Sequence, residues 1–304
     1  MAFTPLNALA SFIAVARRRS FAAAARDLGV STSALSQSVR QLEARLGIAL
    51  LTRTTRSVAL TEAGQRLLEN AGSAVDQALE SLRNVSSRPG ELAGRVRLSV
   101  PDVAAELILT RILPRFAERH PRVEVDVQVE NRFVDVVGEG LDAGIRLTEA
   151  IERDMVQVRV MGPGRFVVAG APSYLAQRGT PQKPEDLLHH SCIGIRTSSG
   201  ARYAWELERG KRTWRVPVEG PVTSNGNSLR RQLAVAGVGL IYTLESQIGD
   251  DLRAGRLRLV LEPYSAAVPG FVLYFPSRAQ VSPAFRAFVD VARELAAGTK
   301  DARR

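Results

Sequence analysis

The chain has 304 residues, 45% of them hydrophobic, with a formal net charge of +10. That length supports two or three domains, and the apolar content excludes a disordered tail. A single cysteine, Cys192, excludes an internal disulfide framework, and no segment is long and apolar enough to span a bilayer. Pro5 to Arg18 places Leu6, Leu9, Ile13 and Ala16 on one helical face. Ser20 is an N-cap for a short alanine-rich helix, Gly29 stops it, and Ser31 caps a longer one. In that longer helix Leu35, Val39, Leu42 and Leu46 recur at inward spacing. Thr32, Ser33, Ser36, Gln37 and Arg40 fall on the opposite face. A helix with an apolar seat and short polar hands suits the major groove of DNA. Periodicity alone is met equally well by an ordinary amphipathic helix pair.

The residues downstream favour contact with nucleic acid. After Gly47, residues Leu50 to Thr61 form two short β-prone arms, with Arg53, Thr54, Thr55 and Arg56 at the tip. Such a wing suits phosphate or the minor groove. Residues 1–90 hold eleven arginines and six acidic groups, so positive charge is denser there than in the remainder. The stretches FAAAARDLGVSTSALSQSVRQLEARLG and LLTRTTRSVALTEAG resemble the winged helix-turn-helix of LysR-type transcriptional regulators. Thr32 and Ser33 stand where many members carry Gln-Pro. The DNA-contact set expected is Ser20, Ser31, Thr32, Ser33, Ser36, Gln37, Arg40, Arg53, Thr54, Thr55 and Arg56. The resemblance implies double-stranded DNA carrying an interrupted palindrome as partner. It also implies self-association into a dimer and then a tetramer, with RNA polymerase as a further partner.

Thr61 is placed to cap a long helix running to about Val85. Leu68, Ala71, Val75, Ala78, Leu82 and Val85 alternate three and four apart along it, a heptad seam. Packing on its own winged domain would satisfy the same spacing; the resemblance points to a dimerising linker. Ser86 to Gly94, SSRPGELAG, is a hinge by composition.

From Gly94 strands and helices alternate. RVRLSV, VEVDVQVE, GIRL, FVVAG, CIGI, GVGLIY, RLRLVL and FVLYF read as strands. Helices fall around Leu107–Phe116, Asn227–Ala236 and Pro283–Leu295. This predicts an α/β region of two lobes around largely parallel sheets, with a ligand cleft between them. The region resembles the effector-binding domain of the same family, which has the type 2 periplasmic-binding-protein fold. The expected layout is an α-rich winged helix-turn-helix over residues 1–61, a linker helix and hinge over 62–91, and an effector domain over 92–304. Lobe I would comprise 92–162 and 268–304, and lobe II 163–267. Cleft candidates are Pro101, Asp102, Arg146 and Thr148 from lobe I, with Arg196, Ser198, Ser224 and Asn225 from lobe II. Arg146 and Arg196 are placed to clamp the carboxylate of a small organic anion.

The sequence has no G-x-S-x-G elbow, P-loop or paired Cys-x-x-Cys. His189, His190 and Cys192 lack a fourth ligand, so neither a metal nor another cofactor is expected, and Cys192 reads as a buried thiol. No secretory leader is apparent and a cytoplasmic protein is expected. The reading is a non-enzymatic DNA-binding regulator controlled by a small effector. Its alternatives are an architectural DNA-binding oligomer without effector, and a DNA-targeted enzyme.

Overall fold

The structure, a computed structural model, describes residues 5–53, 58–85, 92–148, 155–277 and 281–301. Three helices open the chain: α1 (Pro5–Arg18), α2 (Phe21–Leu28) and α3 (Thr32–Leu46). Both expected caps form. Ser20 Oγ accepts from Ala23 N at 3.3 Å, and Ser31 Oγ accepts from Ala34 N at 3.2 Å. Between them Gly29 takes φ 64°, the left-handed turn that redirects the chain into α3. The buried face of α1 is wider than one stripe. Ala8, Phe12, Ile13, Val15 and Ala16 are buried while Leu6 and Leu9 are only partly so. The reason is that α1 packs against both α3 and the later linker helix. Helix α3 buries Leu35, Val39 and Leu42. Leu46 is 50% exposed, not inward, because Gly47 ends the helix before that turn reaches the core.

The wing is the antiparallel pair β1 (Leu51–Arg53) and β2 (Val58–Leu60). Thr61 Oγ1 then accepts from Gly64 N at 3.0 Å and caps α4 (Glu62–Val85). Leu68 and Val75, expected on a dimer seam, are buried in the winged domain's own core. The same three-four spacing that makes a coiled-coil seam also fits a groove beside α1, and here that groove takes both residues. Ala71 and Ala78 are half-buried. The side chains of Leu82 and Val85 lie outside the described set.

The remainder is built as two lobes. Lobe I contains β3 (Ala93–Val100), α5 (Asp102–Ala104), a wide π turn (Ala105–Leu109), α6 (Thr110–Arg119), β4 (Arg122–Val129), β5 (Ala143–Leu147) and β6 (Met155–Met161). Lobe II carries β7 (Gly164–Gly170), α7 (Pro172–Arg178), β8 (Gly194–Ile195), β9 (Trp205–Arg209), β10 (Arg212–Val216), β11 (Thr223–Ser224) and α8 (Asn227–Val235). It continues with β12 (Ile241–Leu244), α9 (Gly249–Arg253), β13 (Arg258–Val260) and β14 (Ala266–Val268). The chain returns to lobe I through β15 (Phe271–Pro276) and α10 (Pro283–Asp301).

The sheets are less parallel than the alternation of elements predicts. In lobe I the order is β4-β3-β5-β15-β6; β3 runs parallel to β4 and β5, but β15 is antiparallel to both its neighbours. In lobe II, β7 pairs antiparallel with β12, β13 and β14. The hinge explains part of this. The chain leaves lobe I along β6 and returns along β15, so these neighbours must be opposed, and β7 and β14 are opposed for the same reason. The strands β6, β9, β10, β11 and β14 are not among those read from the sequence. The two crossings touch at Gly270, which takes φ 102°; a Cβ there would overlap the carbonyls of Met161 and Gly162.

Each lobe has its own core. Leu98, Ile145 and Leu273 of the lobe I sheet pack beneath Ile112, Phe116 and Phe288 of α6 and α10. In lobe II, Tyr242 stacks on Phe166 at 5.0 Å and on the fully buried Trp205 at 5.6 Å. Aromatic pairs of this geometry add to what their buried area contributes. Among the described residues no helix is long and apolar enough to cross a membrane.

Candidate nucleic-acid interface and effector cleft

The expected DNA-reading residues from Ser31 to Arg40 lie at the start of α3 and along it, while Ser20 caps α2. Ser31, Thr32, Ser33, Gln37 and Arg40 are exposed and Ser36 is half-buried. Two of these hydroxyls already have structural duties. Ser20 and Ser31 spend a lone pair on helix caps, and Ser31 also lies 3.1 Å from Ser33 Oγ. Arg40 is exposed, and its Nε donates to Ser36 O at 3.3 Å. Thr54, Thr55 and Arg56 lie outside the described residues, as does the side chain of Arg53. One residue missing from the expected set fixes the wing. Glu43 Oε1 accepts from Leu50 N at 2.9 Å and Leu51 N at 3.0 Å, tying β1 to the last turn of α3. The sequence signal was a lone acid within an otherwise basic and polar helix.

In the effector domain one candidate is already fully engaged within its own lobe. Arg146 is 7% exposed, and its guanidinium donates to Ser99 O, Ile145 O, Ser99 Oγ, Glu130 O and Arg132 O at 2.7–3.3 Å. It ties β5 to β3 and to the loop after β4. Burial pushes its pKa down. Thr148 is likewise committed: its N and Oγ1 both donate to Gly270 O at the hinge. Arg196 and Ser198 are exposed, and Arg196 donates to Gly200 O at 3.0 Å. Ser224 Oγ accepts from Gly226 N, closing the turn before α8.

Asp102 and Asn225, in contrast, lie on opposite sides of the seam between the lobes and are bridged by Asn131. Pro101 precedes α5 without a side-chain cap. Asp102 Oδ2 then accepts from Asn227 N, the first residue of α8, at 2.6 Å. Asn131 accepts from Asp102 N at 3.1 Å and donates through Nδ2 to Asn225 O at 2.9 Å. Farther along, Glu106 in the π turn faces Gln247 Nε2 at 3.4 Å and Arg231 at 3.6 Å. Behind the seam lies a buried polar group that sequence reading missed. Arg230 donates to Asn227 Oδ1 at 2.7 Å and Tyr242 O at 3.1 Å, and Thr243 lies within hydrogen-bond reach of Asn227 and Gln247. Burial lowers the Arg230 pKa to about 10, opposed by the nearby Asp102 carboxylate, so the group stays charged at neutral pH. The available signal was a charged residue at helical spacing between Asn227 and Ala234, where an apolar side chain belongs.

Cys192 is buried, with Sγ 3.7 Å from Leu187 O, and burial pushes its pKa up to about 12. Among the described residues no group of three or more His, Cys, Asp or Glu is placed to hold a metal.

Comparison with known proteins finds two family matches. The family described as bacterial regulatory helix-turn-helix protein, lysR family, matches residues 6–65, and the LysR substrate binding domain matches residues 89–297. A putative transcriptional regulator of Pseudomonas aeruginosa is 41% identical, covering 95% of this chain and 94% of its own. The HTH-type transcriptional regulator PgrR of Escherichia coli is 36% identical over 93% of this chain and 95% of its own. Among solved structures, the full-length Vibrio cholerae virulence activator AphB aligns with a TM-score of 0.64 at 19% identity, covering 94% of this chain and 98% of that one. CrgA from Neisseria meningitidis aligns with a TM-score of 0.59 at 24% identity, covering 95% and 98%. These two share the fold. A capped helix pair with an outward polar face, a wing, a linker helix and two hinged α/β lobes thus coincide with two family matches spanning most of the chain. The chain belongs to the LysR family of transcriptional regulators, with a helix-turn-helix DNA-binding domain and an effector-binding domain.

Proposed function

We propose that the chain reads an interrupted palindrome in double-stranded DNA as a homo-oligomer, presenting one α3 to each of two successive major grooves. Ser36 and Gln37 touch base edges, while Arg40, Arg53 and Arg56 hold phosphates. The observation that supports this most is the outward polar face of α3, fixed at its start by the Ser31 cap and at its end by the Glu43 tie to the wing. Dimerisation uses the half-buried Ala71–Ala78 side of α4 with its C-terminal turns, rather than Leu68 and Val75. The winged domain spans residues 1–61, the linker 62–91 and the effector domain 92–304.

A small organic anion bound between the lobes shifts the balance between two arrangements of the DNA-binding ends, and this recruits or excludes RNA polymerase. The ligand does this only through unequal affinity for the two arrangements. The protein acts in the cytoplasm and catalyses no reaction. The test is a salt-titrated mobility shift with DNA flanking the protein's own gene. Preferential binding to that DNA, with affinity falling steeply as salt rises, is expected. Equal affinity for random DNA of the same length would overturn the proposal.

A further inference from the structure

The start of α8 has an unusual arrangement. Its N-cap residue is Gly226, which has no side chain to cap the helix. The acceptor at the first free N–H is supplied by the other lobe, where Asp102 Oδ2 lies 2.6 Å from Asn227 N, 125 positions away in sequence. Helix N-termini favour anions because their first N–H groups lack intrahelical partners. Two further donors at this spot are buried without a hydrogen-bond partner among the described residues: Asn227 Nδ2 and Arg230 Nε. Asn227 is 2% exposed and Arg230 5%. Arg230 is close enough to Asp102 for that carboxylate to act on its charge. A helix start, a buried cation and spare donors together make an oxyanion site, and the group now in it belongs to lobe I.

We propose that Asp102 is a built-in surrogate ligand, and that effectors carrying a carboxylate or comparable oxyanion act by displacing it. This rests on the proposed effector cleft between the lobes and deepens it. With Asp102 in place, lobes I and II are tied through Asp102–Asn227 and Asn131–Asn225. A free carboxylate entering the same pocket satisfies the α8 N–H groups and Arg230 without being tethered to lobe I. The Asp102–Asn227 tie between the lobes is then released, and the Asn131–Asn225 contact is left as the remaining tie here, with Asn131 still held by the Asp102 backbone N–H. The switch is an exchange of one carboxylate for another at constant charge. This is why a buried arginine can remain in the absence of ligand, since an unpaired buried cation is costly.

The test uses the full chain and sodium formate, the smallest carboxylate. Asp102→Ala removes the surrogate and also the acceptor for Val103 N in its own helix, and its melting temperature falls by about 2–4 °C or more, at least the loss of one cap in a domain of this size. Formate at about 0.1 M restores at least half of that loss, by binding the folded state, whereas sodium chloride at equal ionic strength does not. The wild-type chain shows a smaller formate-specific shift. Identical formate and chloride curves for the variant would overturn the proposal. Asp102→Asn guards against a variant that folds poorly, because it keeps the shape but not the charge that balances Arg230. It should reach a given formate-specific stabilisation at two-fold lower formate than wild type, and an unchanged requirement counts against the proposal. These readouts need no DNA. A chain that passes them but shows no preference among DNA sequences retains the surrogate and loses the regulator reading.

Discussion

Replacing Arg146 by methionine separates two roles that one arginine at the end of a strand can play. The side chain is 7% exposed and donates to five acceptors, four of them backbone carbonyls. Methionine fills much of the volume of the stem but donates nothing. The carbonyls of Ser99, Glu130 and Arg132 then lose a charged donor in a buried setting, at a cost of about 1 kcal/mol or more each. The total is about 3–4 kcal/mol, equivalent to about 10 °C in a domain of this size. Differential scanning calorimetry of the full chain without ligand measures it. Arg146→Lys, with one ammonium and three donors, should fall between the two. If Arg146 were instead an unpaired cation held for an effector, its removal would leave the melting temperature unchanged or raise it. A shift of Arg146→Met smaller than about 2 °C would refute the structural role.

Glu43→Ala should cost about 2 kcal/mol in the winged domain, because two N–H groups at the root of the wing lose a charged acceptor. Urea unfolding monitored by far-UV circular dichroism reports it, and DNA affinity should fall even though Glu43 carries no positive charge. Cys192 should resist a thiol reagent at pH 8 in the native chain and react at once in denaturant, since burial holds its pKa near 12. Native-state labelling in minutes would contradict that burial.

How much was legible in the sequence depended on the range of the interaction. The caps at Ser20, Ser31 and Thr61 and the stop at Gly29 are decided within four residues, and each forms as the local chemistry predicts. Outward and inward faces of α3 obey the helical period until Gly47 cuts the helix short at Leu46. Leu68 and Val75 show the limit of periodicity. A heptad records that a helix has an apolar stripe, but not which surface covers it, and here α1 does. Arg146 and Asp102 show the limit of position. Both stand at the ends of lobe I strands, as a cleft requires, yet one is consumed by carbonyls up to 47 residues away and the other crosses to α8. Arg230 was missed for a related reason: besides Asn227 in its own helix, its partners are a neighbouring strand's carbonyl and a charge on the opposite lobe.

The central claim is that the outward face of α3 reads base sequence, and selection of binding sites from a random DNA pool tests it most directly. The full wild-type chain should enrich a dyad-symmetric motif with half-sites about one helical turn apart or a multiple of it. Gln37→Ala should relax the preference within each half-site while keeping their spacing. A pool that shows no enrichment, or a motif unchanged by Gln37→Ala and Ser36→Ala together, would contradict the account.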